Sequence, residues 1–176
     1  MQVLTVDFKA SDAPQVLVKS FRDTGFAVIK NHPINNDLVH EAYREWEAFF
    51  NTDEKHQYLF DKQKQDGYFP MEISEMAKGN DVRDIKEFYQ IYPDGRYPKS
   101  VSDKARRLYN DLSKLAATLL DWIQQNTPEE IKAKFSIPLN EMIRDCPRTM
   151  LRILHYPPLR GNEEPKAIRA AAHEDI

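Results

Sequence analysis

His173, Glu174 and Asp175 are the residues of this chain whose types and spacing most directly suggest chemistry. On an extended strand successive side chains alternate, so His173 and Asp175 project to one face and Glu174 to the other. A neutral imidazole beside a carboxylate supplies two of the three ligands of the facial set that holds a non-haem ferrous ion. The third is a histidine from elsewhere. Three protein ligands leave three adjacent metal positions open, so a cosubstrate and O2 can bind together. The pattern is short, and on its own it reads more simply as a surface histidine beside two acids.

The other titratable residues suggest less. His32, between Asn31 and Pro33, reads as a turn residue, and His40 and His56 fall on helices at exposed or edge positions. His155 alternates away from Tyr156, facing outward or packing on a helix. Asp84 and Glu87 beside Lys86 can be read as an acid/base pair, although a solvated charged segment is the commoner explanation. Cys146 has no activating base near it in sequence.

The elements that must position these residues follow from periodicity. Residues 3–6 read as a short strand. Pro14 to Thr24 reads as a helix capped by Ser11 or Asp12, with Val16, Leu17 and Phe21 on one face and Gly25 as its stop. Phe26 to Ile29 is a second strand. Asn36 to Asn51 is a helix carrying Leu38, Val39, Ala42, Tyr43, Trp46, Phe49 and Phe50 on one stripe, of which Trp46, Phe49 and Phe50 read as core. A shorter helix covers Asp53 to Phe60. Ile85 to Tyr92 is extended and ends at Pro93-Asp94-Gly95. Asp103 to Gln125 keeps the helical period from Ala105 to Ile123, which predicts a core-packing face. Thr127-Pro128-Glu129-Glu130 has the form of a capping box opening a short helix that ends near Phe135, and Pro138 to Asp145 adds a turn or two. Thr149 to Tyr156 reads as a strand ended by Pro157-Pro158, and Ala170 to Ile176 begins another. Helices thus dominate residues 1–147, and a β-rich part begins in 148–176.

The chain has 176 residues, 41% apolar and 30% charged, enough for one structural unit with a real core. A net charge of −3, a pI of about 6.0 and the lack of a basic run disfavour nucleic-acid binding. No apolar stretch is long enough to span a bilayer, and Met1 to Thr5 shows no signal-peptide pattern. A single cysteine excludes an internal disulfide and fits a cytoplasmic location.

Five segments, in order, resemble the isopenicillin N synthase-like, 2-oxoglutarate-dependent Fe(II) oxygenases. They are Ser20 to Ile34 with its Gly25-Phe26 and Asn31-His32, Phe49-Phe50 with Glu54-Lys55, Gly67-Tyr68-Phe69-Pro70, Asp84 to Phe88, and Leu151-Arg152-Ile153-Leu154-His155-Tyr156-Pro157-Pro158. The interval from Tyr156 to His173 also suits that family. The resemblance implies an α+β fold, in which N-terminal helices pack on the start of a double-stranded β-helix (jelly-roll) barrel that is incomplete in this chain. It implies Fe(II) held by His173 and Asp175, 2-oxoglutarate as cosubstrate, O2, and a small-molecule substrate. It places Tyr156 at a position that helps hold a carboxylate in some members, with Met150, Arg152 and Leu154 on the same strand face. Phe69, Phe88 and Tyr89 are candidates for lining the pocket. The family's distal histidine and its Arg-x-Ser pair fall beyond Ile176, so the chain is expected to be part of a longer oxygenase and inactive alone. A non-catalytic helical binding or scaffold module derived from the same N-terminal part is the alternative.

Overall fold

A computed structural model describes residues 2–73 and 82–172. The chain forms two compact units, residues 1–39 with 105–146, and residues 40–104 with 147–176.

The first unit opens with a β-α-β arrangement. Strand β1 (Thr5–Asp7) and strand β2 (Val28–Lys30) pair in parallel, Val6 opposite Ile29, and helix α1 (Ala13–Thr24) connects them. Parallel neighbours need such a crossover, because a tight hairpin can only reverse the chain. Gly25 stops α1 with φ 78° and donates its N–H to the Phe21 carbonyl at 2.8 Å, as the sequence indicates. Asp12 occupies the N-cap position without a side-chain capping bond, and Pro14 lies in the first turn. Ser20 is fully buried and ties the three elements together. Its Oγ donates to the Phe26 carbonyl at 2.6 Å and accepts from the Leu4 N–H at 3.0 Å. Val6, Ala13 and Leu17 form the core here, with Val16, Phe21, Ala27, Ile29, Leu119, Trp122 and Ile123 packed against it.

Helix α3 (Lys104–Gln125) follows the predicted period, but its stripe is less buried than a core face: only Ala105 is buried outright. The capping box before helix α4 (Glu129–Lys132) is not formed. Pro128 takes the N-cap position, and the Thr127 hydroxyl instead donates back to the Ile123 carbonyl at 2.7 Å. The α3 C-terminus lies only a few residues upstream, so its orphan carbonyls compete successfully for that donor.

The second unit is built on an antiparallel sheet ordered β3–β4–β5, made of β3 (Gly67–Phe69), β4 (Glu87–Ile91) and β5 (Leu151–His155). Helix α2 (Asn36–Phe50), opened by the Asn35 side chain accepting from the Asp37 N–H at 2.9 Å, supplies Trp46, Phe49 and Phe50 to its core. Trp46 packs against Tyr89 at 5.0 Å and Phe49 against Tyr89 at 5.8 Å, both tilted or edge-on. The short helix expected from Asp53 to Phe60 is a 3-10 helix over Asp53–Tyr58. Residues 170–172 are irregular instead of starting a strand, and the rest of that expected strand lies outside the described residues. None of the described helices is long and apolar enough to cross a membrane.

Candidate functional site

His173 and Asp175 lie outside the described residues. Among the described residues no group of three or more His, Cys, Asp and Glu could hold a metal ion. The other predicted site residues are placed, and three of them come together. Phe69 and Phe88 are direct partners across β3 and β4, with rings stacked at 4.5 Å and 15°. The Arg152 guanidinium sits over the Phe88 ring, 4.6 Å from its centroid. Gln90, opposite Arg152 in the ladder, accepts from that guanidinium at 2.8 Å when its amide oxygen faces the arginine. Phe60 closes on Phe69 at 4.2 Å. Leu154, paired with Phe88, remains 42% exposed on this face. Tyr156 follows one residue past the end of β5 and is 38% exposed. Tyr89 alternates to the other face. Its ring is fully buried in the aromatic core and its hydroxyl donates to the Arg96 carbonyl at 2.9 Å, so it does not join Phe69 and Phe88.

The opposite face holds a polar centre that the sequence did not reveal. Glu87 is buried, contrary to the solvated segment expected for it. One oxygen accepts from Lys55 Nζ at 2.9 Å and from the Tyr68 hydroxyl, and the other pairs with His155 Nδ1 at 2.7 Å. An ionised carboxylate can only accept, so His155 carries its hydrogen on Nδ1. Lys55 also donates to the Phe50 carbonyl at 2.7 Å, and His155 lies flat on the Phe50 ring at 5.1 Å and 13°. Burial alone would raise the Glu87 pKa, but the bonds from Tyr68, His155 and Lys55 outweigh it and hold the carboxyl below the ordinary carboxylate value. Burial, and then the bond to Glu87, pushes the Tyr68 hydroxyl well above its usual range, so it remains a donor.

Each member of this centre falls in a different segment of the family resemblance: Lys55 after Phe49-Phe50, Tyr68 in Gly67-Tyr68, Glu87 after Asp84 and His155 before Tyr156-Pro157-Pro158. That shared membership was the available signal.

A second buried carboxylate, Asp66, is clamped by Arg96. It accepts from the Arg96 backbone N–H at 2.7 Å and from Nε at 2.9 Å, while a terminal nitrogen of Arg96 reaches the Leu59 carbonyl at 2.9 Å. Gly67 follows with φ 102°, and a Cβ there would collide with the Tyr58 carbonyl oxygen. The close approach of the backbone at this point therefore requires glycine.

Residues 5–114 match the family model described as non-haem dioxygenase in morphine synthesis N-terminal. This chain belongs to that family. Solved structures agree. A protein of Shewanella oneidensis assigned as an oxygenase is 52% identical over all of this chain and 63% of its own, with a TM-score of 0.86. A protein of Caulobacter crescentus assigned to the 2OG-Fe(II) oxygenase family is 27% identical over 99% of this chain and 61% of its own, with a TM-score of 0.73. A full-length Neurospora crassa protein crystallised with alpha-KG and thymine shares the fold at a TM-score of 0.73 and 19% identity, over 98% of this chain and 62% of its own. No curated protein sequence matches the chain. It spans about three fifths of the length of these solved relatives.

Proposed function

We propose that this chain is the N-terminal part of a non-haem Fe(II) oxygenase that uses 2-oxoglutarate and O2 to oxidise a small molecule. The observation that carries the reading is the likeness over the full chain to a 52% identical oxygenase-assigned structure, combined with a His-x-Asp pair 17 positions after Tyr156. In this reading residues 1–147 form the helical N-terminal region. Residues 148–176 supply the first strands of a jelly-roll barrel that the remainder of the protein completes, together with a distal histidine and an Arg-x-Ser pair. The chain alone would not turn over.

The donor set suits the metal. Imidazole and carboxylate are the two ligand types that ferrous facial sites combine, and His173 and Asp175 would hold the ion. Bound there with 2-oxoglutarate, iron would supply the activation of O2, which is the oxidant. The chain's own residues orient and enclose. Phe69 and Phe88 are themselves buried, so they would back the pocket wall as a stacked apolar layer, while Arg152 over Phe88 would offer a cation and the part-exposed Tyr156 a hydroxyl to a carboxylate. The Neurospora crassa protein, crystallised with alpha-KG and with thymine or 5-formyluracil, supports a small-molecule substrate class.

The test is to supply the whole protein with Fe(II), 2-oxoglutarate and O2 and to measure succinate. Succinate formation is the expected result, and none from iron-loaded protein would overturn the cosubstrate assignment. His173→Ala should abolish iron binding while leaving thermal unfolding of the iron-free protein unchanged, because a ligand at a barrel mouth contributes little to the core. Equal iron content in the variant and the wild type would remove His173 from the site.

A further inference from the structure

Asp84 lies just before β4 with a side chain only 5% exposed. A carboxylate in such a place is costly unless its oxygens are partnered. Lys86 Nζ donates to Oδ2 at 3.0 Å, and the Ala171 N–H donates to Oδ1 at 3.0 Å across 87 positions of chain. One residue on, the Ile85 N–H donates to the Ile168 carbonyl at 2.8 Å. Two neighbouring residues therefore hold both ends of the stretch 168–171, which belongs to no strand. Ala171 itself is buried, so this anchorage is shielded from water. Because the acceptor is one half of an ion pair with Lys86, its bond from Ala171 is charge-assisted, roughly twice as strong as one between neutral groups.

Ala171 precedes His173 by two positions. Two residues of chain reach at most about 7 Å. A pin at Ala171 thus limits where a side chain at position 173 can be delivered. The geometry points to Asp84 as a positioning residue for the proposed iron ligands: its buried carboxylate, paired with Lys86, fixes the backbone at Ala171, two positions before His173. This rests on His173 and Asp175 being the ligands proposed above. Asp84 is not a ligand in this scheme. It acts through the backbone, whereas the usual outer partners of a metal ligand bond to its ring or carboxyl.

The experiment is an anaerobic Fe(II) titration of the whole protein, with thermal unfolding of the iron-free form, for wild type and five variants. Asp84→Ala should bind iron roughly tenfold to a hundredfold more weakly, the range found when outer partners of metal ligands are lost. Asp84→Asn keeps an acceptor for the Ala171 N–H but loses the charge and the Lys86 pair, so it should bind iron with an affinity between those of wild type and Asp84→Ala. Asp66→Asn disturbs a comparable buried ion pair elsewhere in the same unit, and should lower the melting temperature without changing iron affinity. Ala171→Pro removes the N–H donor while leaving Asp84 and Lys86 in place, and should weaken iron binding as Asp84→Ala does. It carries the test if Asp84→Ala does not fold. Wild-type affinity in Asp84→Ala, equal losses in Asp84→Ala and Asp66→Asn, or an asparagine variant as weak as alanine would each overturn the inference. His173→Ala separates the two levels. If it binds iron like wild type, the ligand reading fails whatever Asp84 does; if it loses iron while Asp84→Ala does not, only the role of Asp84 falls.

Discussion

The two faces of the β3–β4–β5 sheet are made from alternate residues of the same strands, yet they are built to different ends. One face turns Tyr68, Glu87, Tyr89 and His155 toward Trp46, Phe49 and Phe50, and the Glu87 charge on it is matched within hydrogen-bond distance. The other carries Phe69, Phe88 and Arg152 as a stacked set beside a half-open Leu154. A buried carboxylate with several donors cannot easily be moved without leaving partners unpaired, so the first face resists change. The second face sets a cation over two buried rings and leaves Leu154 and Tyr156 accessible, a mix of polar and apolar groups that suits a ligand-facing wall. The contrast suggests a division of labour in which the sealed face fixes the register of β4 and β5, and that register decides which side chains the open face presents.

The largest effect is expected on the sealed face. Glu87→Ala leaves Lys55 and His155 without their carboxylate and should cost about 3–5 kcal/mol in urea unfolding, as breaking a buried pair does. A loss below about 1 kcal/mol would mean the centre is not holding the sheet. The same carboxyl gives a pH signature. Its folded pKa lies below the ordinary 4.5, so its stabilisation is complete above that value and is lost as the pH falls through the lower folded value. The acid limb of a stability–pH curve should flatten in Glu87→Gln.

Tyr68→Phe removes one donor to Glu87 and should cost roughly 1–3 kcal/mol. It should also move the Glu87 titration upward, so that the loss of this stabilisation with acid still sets in near the ordinary value but is smaller and is complete at a higher pH than in wild type; an unchanged lower end of that window would show that the hydroxyl does not help hold the charge. The smallest effect on stability belongs to the open face. Leu154→Thr should alter unfolding free energy by no more than about 0.5 kcal/mol, while changing the KM for substrate in the active whole protein. A large stability loss there would collapse the distinction between the faces.

The α1 stop at Gly25, the aromatic stripe of α2, the extended run before Pro93 and the strand before Pro157-Pro158 were legible, because each depends on neighbours within a few positions. The Thr127 capping box was misread because a competing acceptor, the Ile123 carbonyl, lay just as close. Asp84 and Glu87 were misread for a different reason. A charge-rich run looks solvated unless its counter-ions are known, and one of these, Lys55, is 32 positions away from Glu87.

Local residue order determined the helical and extended periods, the turns and the candidate ligand pair, since 3.6-residue and two-residue repeats and backbone preferences act over single elements. The tertiary structure decided that Lys55, Tyr68, Glu87 and His155 share one buried centre, that Phe69, Phe88 and Arg152 share one face, and that Asp84 reaches Ala171. Those outcomes depend on strand pairing and helix packing between distant segments, where burial makes an unpartnered charge too costly to leave and so selects the register that partners it.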